Sequence, residues 1–410
     1  KYKLLESGIN LRANKTYNEK LDKKWELESE DLIGFINYKT KNKNGWKNDV
    51  VYKKRMKIYN SNSKFFNYSL SRIRLNYKNS ISPFKWDFFF KTEKSFSRQR
   101  AVVFDSLGLG LGNYRYDSNY NTYVSDPNGS YQSYILNVGE RQAISNAELK
   151  NRFIIDFRAR NGYPKILLRS NTKIDFEGPK LELNKALNPS LIDTSLIRTL
   201  FTSRLELEYY AKDRVLTWIE IQHLLNGYNP SGNELNKGWN AGVELIKHYD
   251  SIITIQNKSK YKSKIVSSSL TINRNRVING WWNESHFLIE KDKMLDMDIG
   301  IIIGRDYGFI SDDSFVAKAK GLSMDSRIFI NKNLRLQSRL EFFNVAVADN
   351  IKYLPPEALN GYPINNSIRT NTRLNYFINK TFSMSLSINT INDNRYKNLK
   401  SIMGEARAHF

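Results

Sequence analysis

The sequence predicts an all-β fold, a closed antiparallel transmembrane β-barrel of roughly 18 to 20 strands formed by residues 1–410. Apolar and polar residues alternate with a period of two from one end of the chain to the other, and helical periodicity is almost absent. Many alternating segments are about nine to eleven residues long, which is the length a tilted strand needs to cross a bilayer. No run of about 18 apolar residues occurs, and this excludes transmembrane helices.

The alternating segments carry uncharged residues on one face. In chain order these faces are Phe84, Trp86, Phe88, Phe90 and Thr92; Ala147, Leu149, Asn151, Phe153, Ile155, Phe157 and Ala159; Leu168, Ser170, Thr172, Ile174 and Phe176; Leu205, Leu207 and Tyr209; Leu334, Leu336, Ser338, Leu340 and Phe342; Ile368, Thr370, Thr372, Leu374, Tyr376 and Ile378; and Phe382, Met384, Leu386 and Ile388. The opposite faces are rich in Arg, Lys, Asp, Glu and Asn. A one-residue slip would bring these charges to the apolar side, so the register is strongly specified.

Turn signals such as KNKNGW, RNGYP and RVINGWW separate the segments. Longer connections are predicted near residues 178–194 and 349–366. Aromatic residues that follow Gly near the segment ends are typical of the girdles at membrane–water interfaces. They are Trp46, Tyr163, Tyr228, Trp239, Trp281, Trp282 and Tyr362.

A soluble β-sandwich also has an apolar inner face and a charged outer face, and it stays open as the alternative architecture. A sandwich of so many strands would exceed ordinary domain size, yet no linker or composition break divides the chain. Weak, repeated segments of about ten residues are typical of membrane barrels. These observations favour the barrel, with lipid against the uncharged faces.

The formal net charge is +23, from 64 Lys and Arg against 41 Asp and Glu, and the basic residues are spread along the whole chain. Such an excess of positive charge is typical of proteins that bind nucleic acid or anionic lipid headgroups and of channels that attract anions. Compositional drift without a function is the alternative explanation. Aromatic residues lie on the uncharged faces, away from Arg and Lys. The sequence therefore does not place aromatic rings that could stack on bases next to basic residues that could contact phosphates, which argues against a nucleic-acid partner.

The sequence lacks the residue patterns of an enzyme. It has no Cys, its 4 His are far apart, and no G-x-S-x-G string occurs. Ser285 and His286 are neighbours in a predicted strand and therefore point to opposite faces, which excludes them as a catalytic pair. We expect a non-enzymatic protein with no cofactor and no metal ion.

Residues 101–145 interrupt the alternation with a Gly- and Tyr-rich stretch, which predicts an inserted hairpin that serves as a lumenal plug, a gate or a docking element. Two other interpretations stay open. The string GLGLG resembles a phosphate-cradling loop, although the GxGxxG spacing and a following helix are missing. Asp117, Asp126 and Asn128 would supply oxygen ligands to calcium, although the EF-hand register is absent.

The last residues, SIMGEARAHF, place Ile402, Gly404, Ala406, Ala408 and Phe410 on one outward face. This pattern resembles the C-terminal signal of bacterial outer-membrane β-barrel proteins, whose final strand ends in Phe and is read by the barrel-assembly machinery. The Asn-, Lys- and Tyr-rich character and the string MGEARAHF resemble outer-membrane proteins of Bacteroidota-type bacteria.

The resemblance implies a location in the bacterial outer membrane. Outer-membrane lipid, lipopolysaccharide and the barrel-assembly machinery are then the expected partners. A plug domain or energy-coupling box of TonB-dependent receptors is not matched.

Two functions follow from the predicted barrel. In the first, inward basic rows attract anionic solutes, and the barrel is a transport or secretion-complex component. The candidate residues are Arg152, Arg158, Arg169, Lys173, Arg335, Arg339, Arg369 and Arg373. The alternative role for each is a pair with a nearby Asp or Glu that only stabilises the barrel.

In the second, the barrel is a scaffold with a filled lumen that docks partner proteins in an outer-membrane complex. Its contacts would be residues 101–145 and the loop Tyr353–Tyr362, which Pro355 and Pro356 stiffen. A soluble β-sandwich binding protein is the remaining alternative.

Overall fold

The structure is a computed structural model that describes residues 3–18, 24–40, 44–59, 65–118, 122–158, 165–191, 198–211, 213–227, 233–268, 275–291, 294–310, 313–348, 354–379 and 381–408. Within these ranges the strands belong to a large, 20-stranded antiparallel sheet. The predicted all-β, antiparallel fold class and strand number are confirmed.

In chain order the strands are β1 (Lys3–Asn18), β2 (Lys24–Thr40), β3 (Trp46–Tyr59), β4 (Phe65–Lys78), β5 (Phe84–Ser106), β6 (Gly112–Asp117), β7 (Thr122–Gly129), β8 (Tyr131–Asp156), β9 (Ile166–Gly178), β10 (Arg198–Tyr210), β11 (Arg214–Asn226), β12 (Glu234–His248), β13 (Ile253–Ser268), β14 (Arg276–Lys291), β15 (Leu295–Ile310), β16 (Asp313–Phe329), β17 (Leu334–Ala348), β18 (Asn365–Phe377), β19 (Phe382–Asn392) and β20 (Leu399–Ala408). A helix, α1 (Leu183–Leu187), follows β9. No helix among the described residues is long and apolar enough to cross a membrane.

The chain divides into two compact units. The first comprises residues 1–101, 137–206 and 220–236, and the second comprises residues 102–136, 207–219 and 237–410.

In the first unit, β1 to β4 pair consecutively and antiparallel, and β8 pairs with β9. The predicted apolar faces of β8 and β9 lie together, because Ala147 is opposite Phe176 in the register. Helix α1 covers them: Ala186 is fully buried in a cluster with Ala147, Ile174 and Phe176. The sequence predicted lipid against this face, but at this end of the strands the chain itself covers it.

In the second unit, β13 to β20 pair consecutively and antiparallel. Strands β6 and β7 form a separate hairpin, and β6 also touches β8 at Tyr131. A side chain at Gly112 would meet the backbone of Tyr131 at 2.3 Å, so glycine is required for this close approach.

Consecutive strands of the second unit have two distinct faces. On β15, Gly300, Ile302, Gly304, Asp306 and Gly308 are buried, whereas the alternate residues are exposed. We call the side that bears Asp306 the charged face. The opposite side, the apolar face, carries the exposed residues Ile299, Ile301, Ile303, Leu322, Leu340, Phe342, Ile368, Leu374, Tyr376, Phe382, Met384, Leu386, Ile388 and Ile402.

Alternate connections of antiparallel strands lie at opposite ends. We call the end of the second unit at which β14, β16 and β18 stop and β15, β17 and β19 begin the turn end, and the opposite end the loop end. At the loop end, 16 residues (349–364) separate β17 from β18, and residues 354–364 of this connection are described. The predicted long connection near 349–366 is therefore present.

Candidate functional site

A cavity of about 380 Å³ lies on the charged face of the second unit. Two predicted basic residues line it, Arg339 on β17 and Arg369 on β18, and the structure adds Arg395 from the connection 393–398. The other lining residues are Asp126, Glu341, Asn360, Gly361, Tyr362, Thr370, Asn371, Asn389 and Ile391. Three guanidinium groups and two carboxylates line the cavity, and a third carboxylate, that of Asp393, lies 3.3 Å from Arg369.

The two strand arginines of this cavity both have carboxylate partners. Arg339 donates from Nε and Nη2 to Oε1 of Glu341, at 2.9 and 2.6 Å. Nη2 of Arg369 lies 3.3 Å from Oδ2 of Asp393, whose side chain is fully buried. The Arg339 side chain is 63% exposed, so its guanidinium retains donors that face solvent.

Tyr362 forms an aromatic wall of the cavity. Its ring stacks on Phe343 with centroids 3.7 Å apart, and the guanidinium carbon of Arg369 lies 5.5 Å from its centroid. Burial and the charge of Glu341 raise the pKa of Tyr362 to about 12. The hydroxyl therefore stays protonated at neutral pH and can donate a hydrogen bond.

Asp126 connects the β6–β7 hairpin to the same cavity. Its Oδ2 lies 3.4 Å from Nη1 of Arg395 and 3.6 Å from Nε of Arg115, and it accepts a hydrogen bond from Tyr396 at 3.3 Å. Burial and Asp126 raise the pKa of Tyr396 to about 12, whereas burial and the charge of Arg115 lower the pKa of Arg395. The ion pair with Arg395 and the hydrogen bond from Tyr396 thus hold the hairpin against the connection 393–398.

The candidate calcium ligands do not gather into an acidic cluster. Asp117 pairs with Arg115 at 2.9 Å, and Arg115 also faces Asp126. The side chain of Asn128 lies outside the described residues. Among the residues that the structure describes, no group of three or more His, Cys, Asp or Glu is placed to hold a metal ion.

The string GLGLG forms a turn rather than the start of a helix. Gly108 and Gly110 have φ of 105° and 79°, and the N–H of Leu111 donates to the carbonyl of Gly108 at 3.2 Å. Strand β6 follows directly at Gly112. A phosphate-cradling loop would need the N-terminus of a helix at this position.

Residues 354–364 fold onto the charged face, and we call them the clamped loop. Leu359 is fully buried there. Its apolar neighbours on β14 to β17 are Ile278, Trp282, Ile302, Phe315, Ala317, Ala319, Phe343 and Val345. This patch of the charged face is apolar because the loop, and not solvent, covers it.

Polar contacts fix the clamped loop at two points. The carboxylate of Asp306 accepts a hydrogen bond from the N–H of Leu359 at 2.6 Å and forms an ion pair with Lys262 at 2.9 Å. Arg276 donates to both carboxylate oxygens of Glu357, at 2.8 and 2.6 Å. Burial alone would raise the pKa of Glu357, but the hydrogen bonds and charge of Arg276 lower it below its usual range.

The tip of the clamped loop has a strained backbone. Leu359, Asn360 and Gly361 have φ of 46°, 54° and 82°, three left-handed residues in succession. A non-glycine residue in this region costs roughly 1–2 kcal/mol. The contacts of Leu359 and Asp306 offset this cost, and strain held in this way is typical of functional segments.

The first unit has its own basic cavity, of about 470 Å³. The predicted residues Arg152 and Lys173 line it together with Arg74 and Lys150, and Asp87 is its acidic member. Lys173 pairs with Asp175 at 2.5 Å, whereas Arg152 is exposed on β8. The cavity therefore carries a net positive charge.

The remaining predicted basic residues are spread over both units. In the first, Arg158 pairs with Asp156 at 2.9 Å and Arg169 with Glu206 at 3.1 Å. In the second, Arg373 lies 3.5 Å from Glu405, and the Arg335 guanidinium stacks 4.7 Å from the Phe329 centroid. These four residues have structural partners and do not form a common site.

His286 and Ser285 lie on opposite faces of β14. Nδ1 of His286 is 2.7 Å from Oδ1 of Asp298 on the charged face. Ser285 accepts a hydrogen bond from Asn257 at 2.7 Å on the apolar face. His286 is therefore oriented by a carboxylate and has no contact with the neighbouring hydroxyl.

In β20, Ile402, Gly404, Ala406 and Ala408 lie on the apolar face, opposite Ile388, Leu386, Met384 and Phe382 of β19. Phe410 lies outside the described residues.

Sequence reasoning missed Arg395, Tyr396 and the buried role of Leu359. One signal for the clamped loop was present in the string FFNVAVA, residues 342–348. Six of its seven residues are apolar and they lie on both faces of β17, which indicates a strand covered on both sides. No local signal links Asp126 to Arg395, because 269 residues separate them.

No known protein family and no curated protein matches the sequence. Among solved structures, the chain is similar to the siderophore receptor PirA of Acinetobacter baumannii, with 9% identity, a TM-score of 0.41 and 92% of this chain covered. The chain spans 64% of the length of that receptor.

It is also similar to the ferric-catecholate import receptor Fiu of E. coli K12, with 10% identity and a TM-score of 0.30, over 99% of this chain and 82% of that one. A Rh. blastica porin mutant gives 7% identity and a TM-score of 0.22, with 100% of each chain covered. Likeness at this level assigns no ligand or activity to the present chain.

Proposed function

We propose that this protein is a bacterial outer-membrane β-barrel whose charged faces line a basic lumen and admit anionic solutes. The observation that carries the proposal is the exposed apolar face of β15 to β20. Ile301, Leu322, Phe342 and Ile368 follow one another across four strands and are 44–55% exposed. A continuous exposed apolar surface of this kind is typical of contact with lipid.

The same face argues against a soluble pair of packed sheets. In such a sandwich the uncharged sides of the strands are buried against each other. Here Met384 and Leu386 remain 53% and 45% exposed, and the alternate residues Ser385 and Ser387 share the other side with Arg373. Hydrocarbon outside and water inside account for both faces.

The basic lumen is supported by two of the cavities, one in each unit. Each of these is lined by more Arg and Lys than Asp and Glu, whereas a third cavity, of about 300 Å³ in the first unit, is lined by two basic and four acidic residues. Rings of Arg and Lys favour anions over cations electrostatically. Because the clamped loop lies on the charged face, we infer that it narrows the path of solutes through the lumen.

Conductance across a planar bilayer tests transport. We expect steady current with anion selectivity for the wild-type protein. The double variant Arg152→Gln/Arg339→Gln removes two positive charges from the cavities and should lower the ratio of anion to cation permeability.

The matched control is Lys291→Gln/Lys332→Gln, which removes the same charge from exposed positions at the turn end. It should leave the permeability ratio unchanged. Cation selectivity of the wild-type protein, or an equal effect of both double variants, would contradict a lumen lined by these residues.

A scaffold with a filled lumen is the second candidate, and the clamped loop favours it. Arg276, Asp306 and Lys262 fix this loop by charge as well as by burial of Leu359. A folded, heat-modifiable protein that inserts but stays silent in the bilayer would support the scaffold. The barrel-assembly machinery and proteins of an outer-membrane complex would then be its partners.

A further inference from the structure

Three cations interrupt the apolar face of β15 and β16. Arg305 on β15 and Lys318 and Lys320 on β16 are exposed there. Arg305 is directly opposite Lys318 in the register, and Ile303 is opposite Lys320. Like charges directly opposite each other on a sheet destabilise it unless an anion lies between them.

No carboxylate on this face balances the three cations. Along the described strands β14 to β17, the other residues that share the apolar face are Val277, Asn279, Trp281, Asn283, Ser285, Phe287, Ile289 and, at the turn end, Lys291; Leu295, Met297, Ile299, Ile301, Ile303, Tyr307 and Phe309; Ser314, Val316, Leu322, Met324, Ser326 and Ile328; and Leu334, Leu336, Ser338, Leu340, Phe342, Asn344, Ala346 and Ala348. None of them is Asp or Glu. The local charge is therefore about +3.

The cations occupy a defined height on the strands. They lie nearer to the loop end than the apolar pair Ile301 and Leu322 does. Four residues along the strand, roughly 13 Å, separate that pair from the Arg305–Lys318 pair. Trp281 is opposite Arg305, and Tyr307 follows two residues later on the same face. Aromatic residues at the edge of an apolar band mark the membrane–water boundary.

We propose that Arg305, Lys318 and Lys320 bind the phosphate headgroup of an anionic lipid in the leaflet at the loop end. The site rests on the proposed function, since it needs lipid against the apolar face. Its charge is complementary to a phosphorylated headgroup, and the acyl chains would lie along Ile303 and Leu322. Trp281 and Tyr307 would contact the headgroup region at its edge.

Native mass spectrometry of the full chain in a neutral detergent, titrated with diphosphorylated lipid A, tests the site. Each surface cation contributes roughly fivefold to the affinity for anionic lipid, so Arg305→Gln/Lys318→Gln/Lys320→Gln should weaken binding by about a hundredfold. Dephosphorylated lipid A should bind the wild-type protein as weakly as the diphosphorylated lipid binds the variant.

The matched control Arg327→Gln/Lys332→Gln/Lys397→Gln removes the same charge from exposed residues off the apolar face and should bind like the wild type. Millimolar inorganic phosphate should not displace the lipid, because a lipid site also needs the acyl contacts. Displacement by free phosphate would overturn the lipid assignment.

Heat-modifiable gel mobility shows that each variant is folded. If the wild-type chain enters neutral phosphatidylcholine bilayers but the Arg305/Lys318/Lys320 variant keeps wild-type affinity, the lipid site is wrong and the barrel stands. If the wild-type chain enters no bilayer, the barrel and the lipid site both fail.

Discussion

At the scale of single residues, Asp126 is the acidic residue that joins the most distant parts of the second unit. It faces Arg115 within its own hairpin and Arg395 and Tyr396 far along the chain. Two guanidinium groups share one carboxylate that is only 4% exposed. The position therefore decides whether the β6–β7 hairpin stays docked.

We expect Asp126→Asn to lower the free energy of unfolding by about 2 kcal/mol. Breaking a buried pair costs roughly 3–5 kcal/mol, and this value is reduced here because both arginine side chains remain about one-fifth exposed. Urea titration of the folded protein measures the change. The control Asp296→Asn breaks the exposed pair with Arg327 and should cost less than about 1 kcal/mol; equal losses would contradict the buried role of Asp126.

Glu357 gives the clamped loop a pH dependence. Its pKa is lowered in the folded protein, so the carboxylate stabilises the loop above the ordinary carboxyl range, and the stabilisation is lost as pH falls through the folded pKa. The protection of the amide hydrogens of residues 354–364 against exchange, taken relative to the intrinsic exchange rate at the same pH, should therefore be high at pH 7 and lower below the usual Glu pKa of about 4.3.

Glu357→Gln is the control for this effect. It removes the titrating group, so the loop should show the same low protection at both pH values. Equal protection of the wild-type loop at low pH and at pH 7 would show that Arg276 and Glu357 contribute nothing to its docking.

At this scale the sequence named two of the three arginines that line the cavity of the second unit as candidates and missed the third. Arg339 and Arg369 were expected on a basic face because Arg and Glu alternate with uncharged residues on β17 and β18. Arg395 follows a strand in a connection, where no periodicity specifies a face. Its contact with Asp126 joins two residues that are 269 positions apart in the chain.

At the scale of elements, the strands with strict alternation were predictable and the covering segments were not. β19 is formed by Phe382–Asn392, in agreement with the alternation that begins at Phe382. Helix α1 is only five residues long and has no side-chain cap, so its sequence carries a weak helical signal. It forms because Ala186 is buried against β8 and β9, a tertiary contact.

The clamped loop is the element whose removal should change function. Leu359→Ala deletes a fully buried side chain, and such deletions cost roughly 2–5 kcal/mol. We expect local release of the loop and a higher single-channel conductance, measured in a planar bilayer.

Leu340→Ala on the apolar face is the matched control, because Leu340 is 42% exposed and does not touch the loop cluster. It should leave the conductance unchanged. A silent Leu359→Ala protein that is still folded would favour the filled scaffold over the transporter.

At the scale of the whole molecule, the proposed contact of the apolar face with lipid is tested by charge insertion together with the medium in which the wild-type protein folds. Leu386 and Ser387 are neighbours in the middle of β19, so they have the same depth and strand environment but opposite faces. Arg at the bilayer midplane on a lipid-facing position costs roughly 2–4 kcal/mol, whereas a lumen position tolerates it.

Leu386→Arg should therefore lower the free energy of unfolding in bilayers by roughly 2–4 kcal/mol, and Ser387→Arg should lower it by less than about 1 kcal/mol. The measurement is urea unfolding of the protein inserted in phosphatidylcholine vesicles. In water without detergent a packed sandwich would bury Leu386 and expose Ser387, so the same ranking would also appear there. The decisive result is the medium in which the wild-type protein folds. If it unfolds reversibly in vesicles and forms no folded monomer in detergent-free buffer, hydrocarbon must contact the face that carries Leu386.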